Sequence, residues 1–163
     1  MSLTEPTIHI RDGTLSDTTI IASFNQKMAA ETEGEILDPE LIHAGVAALL
    51  ADQSKGRYWV AEINGEIAGQ LMITYEWSDW RNGNLWWIQS VYVPEKYRRQ
   101  GVFSALYQHL ESMAENDPGV AGIRLYVEKE NTHAKKTYLS LGMSETNYDV
   151  MQTIRKPSAK NNA

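Results

Sequence analysis

The first third of the chain combines a strand-like pattern with two helix-like patterns of apolar residues. Residues 8–11 alternate between apolar and polar side chains, which predicts a first strand. Asp17 precedes apolar residues at helical spacing and predicts a capped helix that runs to about Ala30. The polar segment 31–35 is expected to break this helix. Asp38-Pro39-Glu40 then supplies a cap, a proline at the first helical position and an acid in the first turn of a second helix.

A β-hairpin is the clearest element in the middle of the sequence. Residues 57–63 and 67–75 are rich in β-branched and aromatic side chains, and the Asn64-Gly65 pair between them favours a two-residue turn. A polar and aromatic loop is predicted at 76–84, and a further strand at 85–93.

The last third alternates between helices and strands. A helix opens after Gly101, a strand follows at 123–127, a second helix spans 131–142, and a last strand is predicted at 148–154. The strands on either side of the Gly101 helix are expected to be parallel because a crossover helix joins them. The whole order predicts an α/β fold with a mixed, mostly antiparallel central sheet and helices on both faces.

Length, charge and composition narrow the possible functions. The chain has 163 residues, which predicts a single domain over 1–155 and a flexible tail at 156–163. The net charge of −6 argues against general binding to nucleic acid. The absence of cysteine excludes disulfides, thiolate metal sites and an enzyme thiol nucleophile, and the four histidines show no metal-site spacing. No membrane span or signal peptide is recognised, so we expect a soluble cytoplasmic protein.

The stretch from residue 91 to residue 104 is the best candidate for ligand binding. It runs from a predicted strand into a helix start, where backbone N–H groups and a partial positive charge attract anions. Gly101 permits close approach of the backbone, and Arg98 and Arg99 add positive charge. Taken alone, however, the pattern is better explained as a plain turn with two solvated arginines.

A second pattern lies in the predicted helix that Asn131 opens. Asn131, Ala134 and Tyr138 follow one another at intervals of one helical turn, and Gly142 suits the left-handed end of the helix. Read singly, Tyr138 is a core aromatic and Asn131 only a cap. Two such patterns in this order, separated by a helix and a strand, are much harder to obtain by chance.

Together the two patterns resemble the GNAT superfamily of N-acetyltransferases. Arg98, Gly101 and Phe103 occupy the three defining positions of the coenzyme A loop, although the family places Gly or Ala where Phe103 stands. The segment 131–143 is similar to the late helix of the family, with its Asn, Ala, Tyr and Leu-Gly-Met positions. The resemblance covers most of the chain, and its spacing is closest to the spermidine/spermine (diamine) acetyltransferase branch.

The resemblance implies acetyl-CoA as the co-substrate and requires no metal. The backbone at Val91 and Val93 would align the pantetheine arm, and residues 99–104 would cradle the pyrophosphate. Tyr138 would point its hydroxyl at the sulfur as general acid. The residues implied in cofactor binding are Val91, Tyr92, Val93, Arg98, Arg99, Gln100, Gly101, Val102, Phe103, Ser104, Asn131 and Ala134.

The acceptor side is less clearly marked. Gln89 stands where many family members place a glutamate base; an amide cannot accept a proton at neutral pH, although it can orient a water. Glu31 and Glu33 fall where this fold lines its acceptor pocket, and a solvated acidic loop explains them about as well. Tyr75 and Trp77 belong to an aromatic-rich region that could stack on a cation.

The function expected from these residues is acetyl transfer to a primary amine of a small molecule by direct attack in a ternary complex. The amine would be a polyamine, a diamine or an amino-acid-like compound. A non-catalytic acyl-CoA sensor and a protein-lysine acetyltransferase remain as alternatives. The fold commonly dimerises, so a homodimer is also left open.

Overall fold

The computed structural model describes residues 4–155. The strands are β1 His9–Asp12, β2 Arg57–Ile63, β3 Glu66–Ser78, β4 Gly83–Tyr92 and β5 Val120–Leu125. The α-helices are α1 Thr18–Glu33, α2 Pro39–Ala51, α3 Val102–Glu115 and α4 Thr132–Ser140. The chain divides into two compact units, Met1–Tyr126 with the sheet and α1 to α3, and Val127–Ala163 with α4. The tail predicted at 156–163 lies outside the described residues.

The five strands form one sheet in the order β1-β2-β3-β4-β5. The first three pairings are antiparallel, and β4 pairs with β5 in parallel. The parallel pair flanks α3, as the crossover rule requires. The predicted mixed, mostly antiparallel α/β sheet is therefore confirmed.

Helices cover both faces of the sheet, as the contacts of the β2 side chains show. Tyr58 and Val60 belong to a buried cluster with side chains of α1 and α2. The intervening Trp59 points to the other face, where its ring meets His109 of α3 edge-on at 5.9 Å. Successive strand side chains alternate between faces, so one face of the sheet packs on α1 and α2 and the other on α3.

Two of the predicted helix starts can be compared with the structure at their caps. The Asp38 side chain accepts hydrogen bonds from the amides of Glu40 and Leu41, which confirms it as the cap of α2. Asp17 stands at the N-cap position of α1 but makes no capping bond there. Its carboxylate instead accepts two hydrogen bonds from Arg11, at 2.8 and 2.9 Å. It also accepts from the Thr14 amide at 2.8 Å, so Asp17 holds the turn before α1 instead of capping the helix.

The first helix breaks within 31–35 as predicted, but its predicted end at about Ala30 is wrong. α1 continues to Glu33 and ends where Gly34 adopts the left-handed conformation, with φ of 64°. Glutamate is a good helix former, so a polar segment alone does not stop a helix, whereas a glycine that can adopt positive φ does. Glu31 and Glu33 therefore lie on the last turn of α1.

The long loop predicted at 76–84 is also wrong. Trp77 pairs with Asn84 and Ser78 with Gly83, so β3 and β4 extend as a hairpin and only residues 79–82 remain as the turn. Aromatic residues favour a pleated, half-buried surface, and the polar residues among them do not prevent cross-strand pairing.

The strand predicted at 148–154 is absent. The described part of this segment has no regular structure, and the apolar side chains Tyr148, Val150 and Ile154 are exposed. An alternating pattern of apolar and polar residues predicts which face of a strand is buried. It does not provide the neighbouring strand that the backbone hydrogen bonds need. The sheet of the described chain ends at β5.

No helix within residues 4–155 is long and apolar enough to cross a membrane. The same residues contain no group of three or more His, Asp or Glu side chains that could hold a metal ion.

Gly69 provides a test of how closely β3 and α3 pack. A Cβ on Gly69 would lie 2.7 Å from Cγ1 of Val102, the first residue of α3, and 3.3 Å from the Tyr92 carbonyl oxygen. We expect Gly69→Ala to lower the free energy of unfolding by about 1–3 kcal/mol through overpacking, measured by urea denaturation.

Gly45 offers a control of opposite sign. It lies inside α2, and nothing stands within 4 Å of the Cβ that alanine would add. Gly45→Ala should therefore stabilise the chain by about 1 kcal/mol through helix propensity. A Gly69→Ala chain as stable as the unmodified one would contradict the close approach.

Candidate active site

The loop before α3 contains two residues in the left-handed backbone region. Arg99 and Gly101 both have positive φ, of 62° and 81°, and Gly101 is the N-cap of α3. No side chain caps this end, and the first hydrogen bond of the helix runs from the Ala105 amide to the Gly101 carbonyl at 3.0 Å. The amides of Val102 and Ser104 precede that bond. The helix start therefore has the geometry of an anion site.

Phe103 packs along α3. Its ring packs against Tyr107 one turn further along α3, with ring centroids 6.0 Å apart. Val102 beside it is buried and faces Gly69. Gln100 folds back, and its Nε2 donates to the Lys96 carbonyl at 2.9 Å. The side chains of the loop are thus held by the protein itself.

Arg98 is fixed by three groups. Its Nε donates to the Val93 carbonyl at 2.9 Å, and its terminal nitrogen donates to Glu31 at 2.7 Å. The guanidinium carbon lies 5.7 Å from the centre of the Tyr92 ring, whose hydroxyl donates to the other oxygen of Glu31 at 2.8 Å. The end of α1 is thereby tied to the loop between β4 and α3.

This network changes the ionisation of its members. The hydrogen bond from Arg98, followed by that from Tyr92, holds the pKa of Glu31 below its usual value. Burial, followed by the hydrogen bond to Glu31, raises the pKa of Tyr92. Glu31 is therefore ionised and Tyr92 protonated at neutral pH.

An open cleft of about 520 Å³ lies beside the network. It is lined by Lys27, Glu31, Tyr92, Pro94, Glu95 and Lys96. Glu31, which the sequence suggested for the acceptor, thus stands with the expected cofactor residues Tyr92 and Arg98. Glu33 lies two positions further along α1, and side chains at that spacing do not face each other.

β4 separates from β5 before it reaches the loop. The β4–β5 pairing runs from Asn84 to Ile88, whereas β4 itself continues to Tyr92. No strand of the described chain pairs with the last part of β4 on that side. The open edge includes Val91, for which the sequence implied contacts with an extended ligand arm.

A β-bulge lies in the same part of β4. The register with β3 passes from Met72 opposite Gln89 to Gln70 opposite Tyr92, so two residues of β4 stand against one of β3. Ser90, within the bulge, has a φ of 49°, which is unusual for a residue with a Cβ. The bulge turns the backbone at the point where the open edge begins.

Gln89 lies on the face of the sheet that packs on α1 and α2. Its Nε2 donates to the hydroxyl of Thr74 across the strand pair at 2.5 Å. Trp87, two residues before it on the same face, stacks on Tyr126 with ring centroids 4.4 Å apart. Beside them Arg124 donates to Glu76 at 3.0 Å. This face therefore presents an aromatic pair, an amide and an ion pair together.

Tyr75 and Trp77 do not join this group. The Tyr75 ring contacts the buried Trp86, 6.5 Å away, on the α3 face, and Trp77 follows two residues later on that face. The sheet thus separates both residues from Gln89. Sequence reasoning missed Tyr126 and Thr74 because only the strand register shows which side chains share a face.

The second unit contains the late motif. The Asn131 side chain accepts a hydrogen bond from the Ala134 amide at 3.1 Å, which confirms the predicted cap. Gly142 has φ of 90° and follows α4, as predicted. Burial raises the pKa of the Tyr138 phenol.

Comparisons with known proteins agree with the fold. The sequence model of the Acetyltransferase (GNAT) family matches residues 21–143. A possible acetyltransferase from Clostridium difficile 630 is 47% identical, with a TM-score of 0.87, over 92% of this chain and 99% of its own. A predicted acetyltransferase from Clostridium acetobutylicum, solved with acetyl-CoA, shares the fold at 17% identity and a TM-score of 0.73, over 90% of this chain and 96% of its own.

One curated relative also matches. The mycothiol acetyltransferase of Mycolicibacterium gilvum is 33% identical over 91 residues, which cover 53% of this chain. The matched stretch is 30% of the length of that relative.

Gly101 allows the anion site to be tested against a matched control. An alanine at φ of 81° is strained, and the strain costs roughly 1–2 kcal/mol. Its relief would reorient the amides at the start of α3. We expect Gly101→Ala to weaken coenzyme A binding by about tenfold, measured by calorimetry.

Gly65 has nearly the same geometry in the β2–β3 hairpin. Its φ is 80°, and no atom lies within 4 Å of an added Cβ at either glycine. Gly65→Ala should cost similar stability but leave coenzyme A affinity unchanged. Equal losses of affinity in the two variants would show that the effect is not specific to the loop.

Proposed function

Since this chain belongs to the GNAT acetyltransferase family, we propose that it transfers the acetyl group of acetyl-CoA to a primary amine of a small molecule. One observation carries the proposal. The open, bulged edge of β4 is followed, after the loop 93–101, by a helix start without a side-chain cap, and two residues of that loop have positive φ. An extended amide-containing arm followed by a diphosphate needs these two features in this order.

The cofactor residues divide into two groups by what they offer. Residues 101–104 and the arginines Arg98 and Arg99 offer N–H donors and positive charge to the diphosphate. Val91 and Val93 offer backbone groups to the pantetheine amides, as an added strand would require. Asn131 and Ala134 are carried over from the family motif. When bound, acetyl-CoA supplies the activated acetyl thioester.

The backbone N–H of Val91 would stabilise the oxygen of the thioester as charge develops on it. A fixed donor aimed at that position requires no reorganisation during the reaction. Tyr138 would give its proton to the departing thiolate. Burial raises the pKa of this phenol, so it carries the proton throughout the neutral range.

Gln89 replaces a side-chain base in this scheme. Its amide nitrogen is used by Thr74, which leaves its carbonyl oxygen directed to accept from a water or from the incoming ammonium. Free amines have pKa values near ~10, so a minority neutral form exists at pH 7. Water can take up the remaining proton without an ionisable residue.

Acceptor recognition is assigned to the face with Trp87 and Tyr126. Stacked aromatic rings next to Gln89 suit an ammonium group through cation–π attraction, and a diamine, polyamine or amino-acid-like amine meets this requirement. Glu31 already accepts hydrogen bonds from Arg98 and Tyr92, so we assign it to holding the loop and not to binding the acceptor. The net charge of −6 also favours a cationic substrate.

A non-catalytic acyl-CoA sensor is the second candidate, because Gln89 stands where a glutamate base is often found. Free-thiol release from acetyl-CoA against a panel of polyamines, diamines and amino acids tests both. Turnover with any of these amines supports the enzyme, whereas coenzyme A binding without turnover favours the sensor. Turnover only on a folded protein would instead favour a protein-lysine acetyltransferase.

Replacement of Tyr138 tests the proton transfer. Tyr138→Phe should lower kcat by about 10²-fold because the departing thiolate loses its acid, while the Kd for coenzyme A stays unchanged. Tyr148→Phe is the control, since Tyr148 is an exposed tyrosine of the same unit. A Tyr138→Phe enzyme with full kcat would remove Tyr138 from the mechanism.

Replacement of Tyr126 tests the acceptor face. Tyr126→Ala should raise the KM for the amine by roughly threefold to thirtyfold, since a cation–π contact contributes about 0.5–2 kcal/mol, without changing the KM for acetyl-CoA. Trp80→Ala removes a similarly exposed aromatic from the β3–β4 turn and should change neither constant. A parallel rise in both constants for Tyr126→Ala would argue against a role specific to the amine.

A further inference from the structure

A closed ring of polar side chains lies beneath the bulge of β4. Gln70 Nε2 donates to Asn25 Oδ1 at 2.8 Å and to the Ser90 carbonyl at 3.0 Å. Asn25 Nδ2 donates to the Tyr58 hydroxyl at 3.1 Å, and the Tyr58 hydroxyl lies beside the Ser90 side chain. The ring thus joins α1, β2, β3 and β4 at one point.

The ring is costly to bury. Gln70 is 0% exposed, and Asn25 and Tyr58 are each 3% exposed. Gln70 Oε1 is buried without a hydrogen-bond partner among the described residues. Apolar side chains of similar volume at both Gln70 and Asn25 would avoid most of that desolvation cost, so stability alone does not account for this polar pair.

Ser90 is contacted by two members of the ring. Gln70 donates to its carbonyl and the Tyr58 hydroxyl lies beside its side chain, while its backbone has a φ of 49°. A residue with a Cβ adopts this conformation only where its surroundings enforce it. The two contacts supply that enforcement and fix the plane of the next peptide bond.

The direction of the Val91 N–H follows from this arrangement. The Ser90 carbonyl and the Val91 N–H belong to one planar peptide unit, and the chain contains no cis peptide bond within the described residues. In a trans peptide the C=O and N–H point in opposite directions. Because Gln70 draws the Ser90 oxygen toward itself, the Val91 N–H points away from Gln70.

We propose that Gln70, supported by Asn25 and Tyr58, is a positioning residue that aims the Val91 N–H at the acetyl thioester. The inference rests on the proposed function, which assigns the Val91 amide to the thioester oxygen. Gln70 touches neither the acetyl group nor the amine and acts only through Ser90. Its effect therefore belongs to kcat and not to the binding of either substrate.

Gln70→Met tests the role, since methionine keeps the unbranched length and loses both donated hydrogen bonds. We expect kcat to fall by roughly 10- to 100-fold, as for other small misplacements of a reacting group, with KM values for acetyl-CoA and amine within about threefold. Tyr58→Phe removes one hydroxyl at constant ring volume and should give a smaller fall of the same kind. The Tyr58→Phe variant also tests the role if Gln70→Met does not fold.

Ile73→Val is the matched control. Ile73 lies on β3 like Gln70 and is fully buried, but it faces α3 and takes no part in the ring. Its replacement should lower the melting temperature and leave kcat unchanged. A kcat loss in Gln70→Met or Tyr58→Phe no greater than that in Ile73→Val would overturn the positioning role.

Crystal structures of the unmodified chain and of Gln70→Met provide a readout that does not depend on activity. The expected result is that Ser90 leaves its positive-φ conformation and the Val91 N–H changes direction in the variant. An unchanged peptide plane would overturn the inference even for an active enzyme. Absence of turnover in the unmodified chain would instead count against the proposed function, so the two failures are distinguishable.

Discussion

The backbone hydrogen bonds of β4 are the constraint on which the rest of the site depends. As far as Ile88 this strand has neighbours on both sides, and beyond it only β3 remains. A strand that loses one neighbour leaves donors and acceptors to be satisfied by something else, and an extended ligand is proposed for this role. The bulge at Ser90 then decides how the exposed groups are directed.

The two faces of the sheet have different roles in the proposed function. On the α3 face, close packing of Gly69 on Val102 fixes where α3 begins and so where the anion site stands. On the opposite face, Gln89 and the Trp87–Tyr126 pair supply the polar and aromatic surface proposed for the acceptor. The polar ring around Gln70 connects the second face to the backbone of β4. Both proposed roles depend on this strand.

Sequence reasoning succeeded where the cause of a structure is local. The Asp38 cap, the Asn64-Gly65 turn and the glycine before α3 each act within a few residues, and the parallel pair follows from a topological rule. It failed where the cause is distant. The partner of Glu31 is 67 positions away, and the bulge exists only relative to the register of β3. The face on which Tyr75 lies likewise depends on a register that the sequence does not contain.

The tethering of Arg98 affects the entropy of ligand binding. An arginine on a surface loop normally loses much rotamer freedom when an anion immobilises it, and that loss reduces affinity. Here Val93, Glu31 and the Tyr92 ring have already ordered the guanidinium. A phosphate that binds Arg98 would therefore contact a guanidinium that is already ordered. The rotamer entropy of this side chain is lost on folding and not on ligand binding.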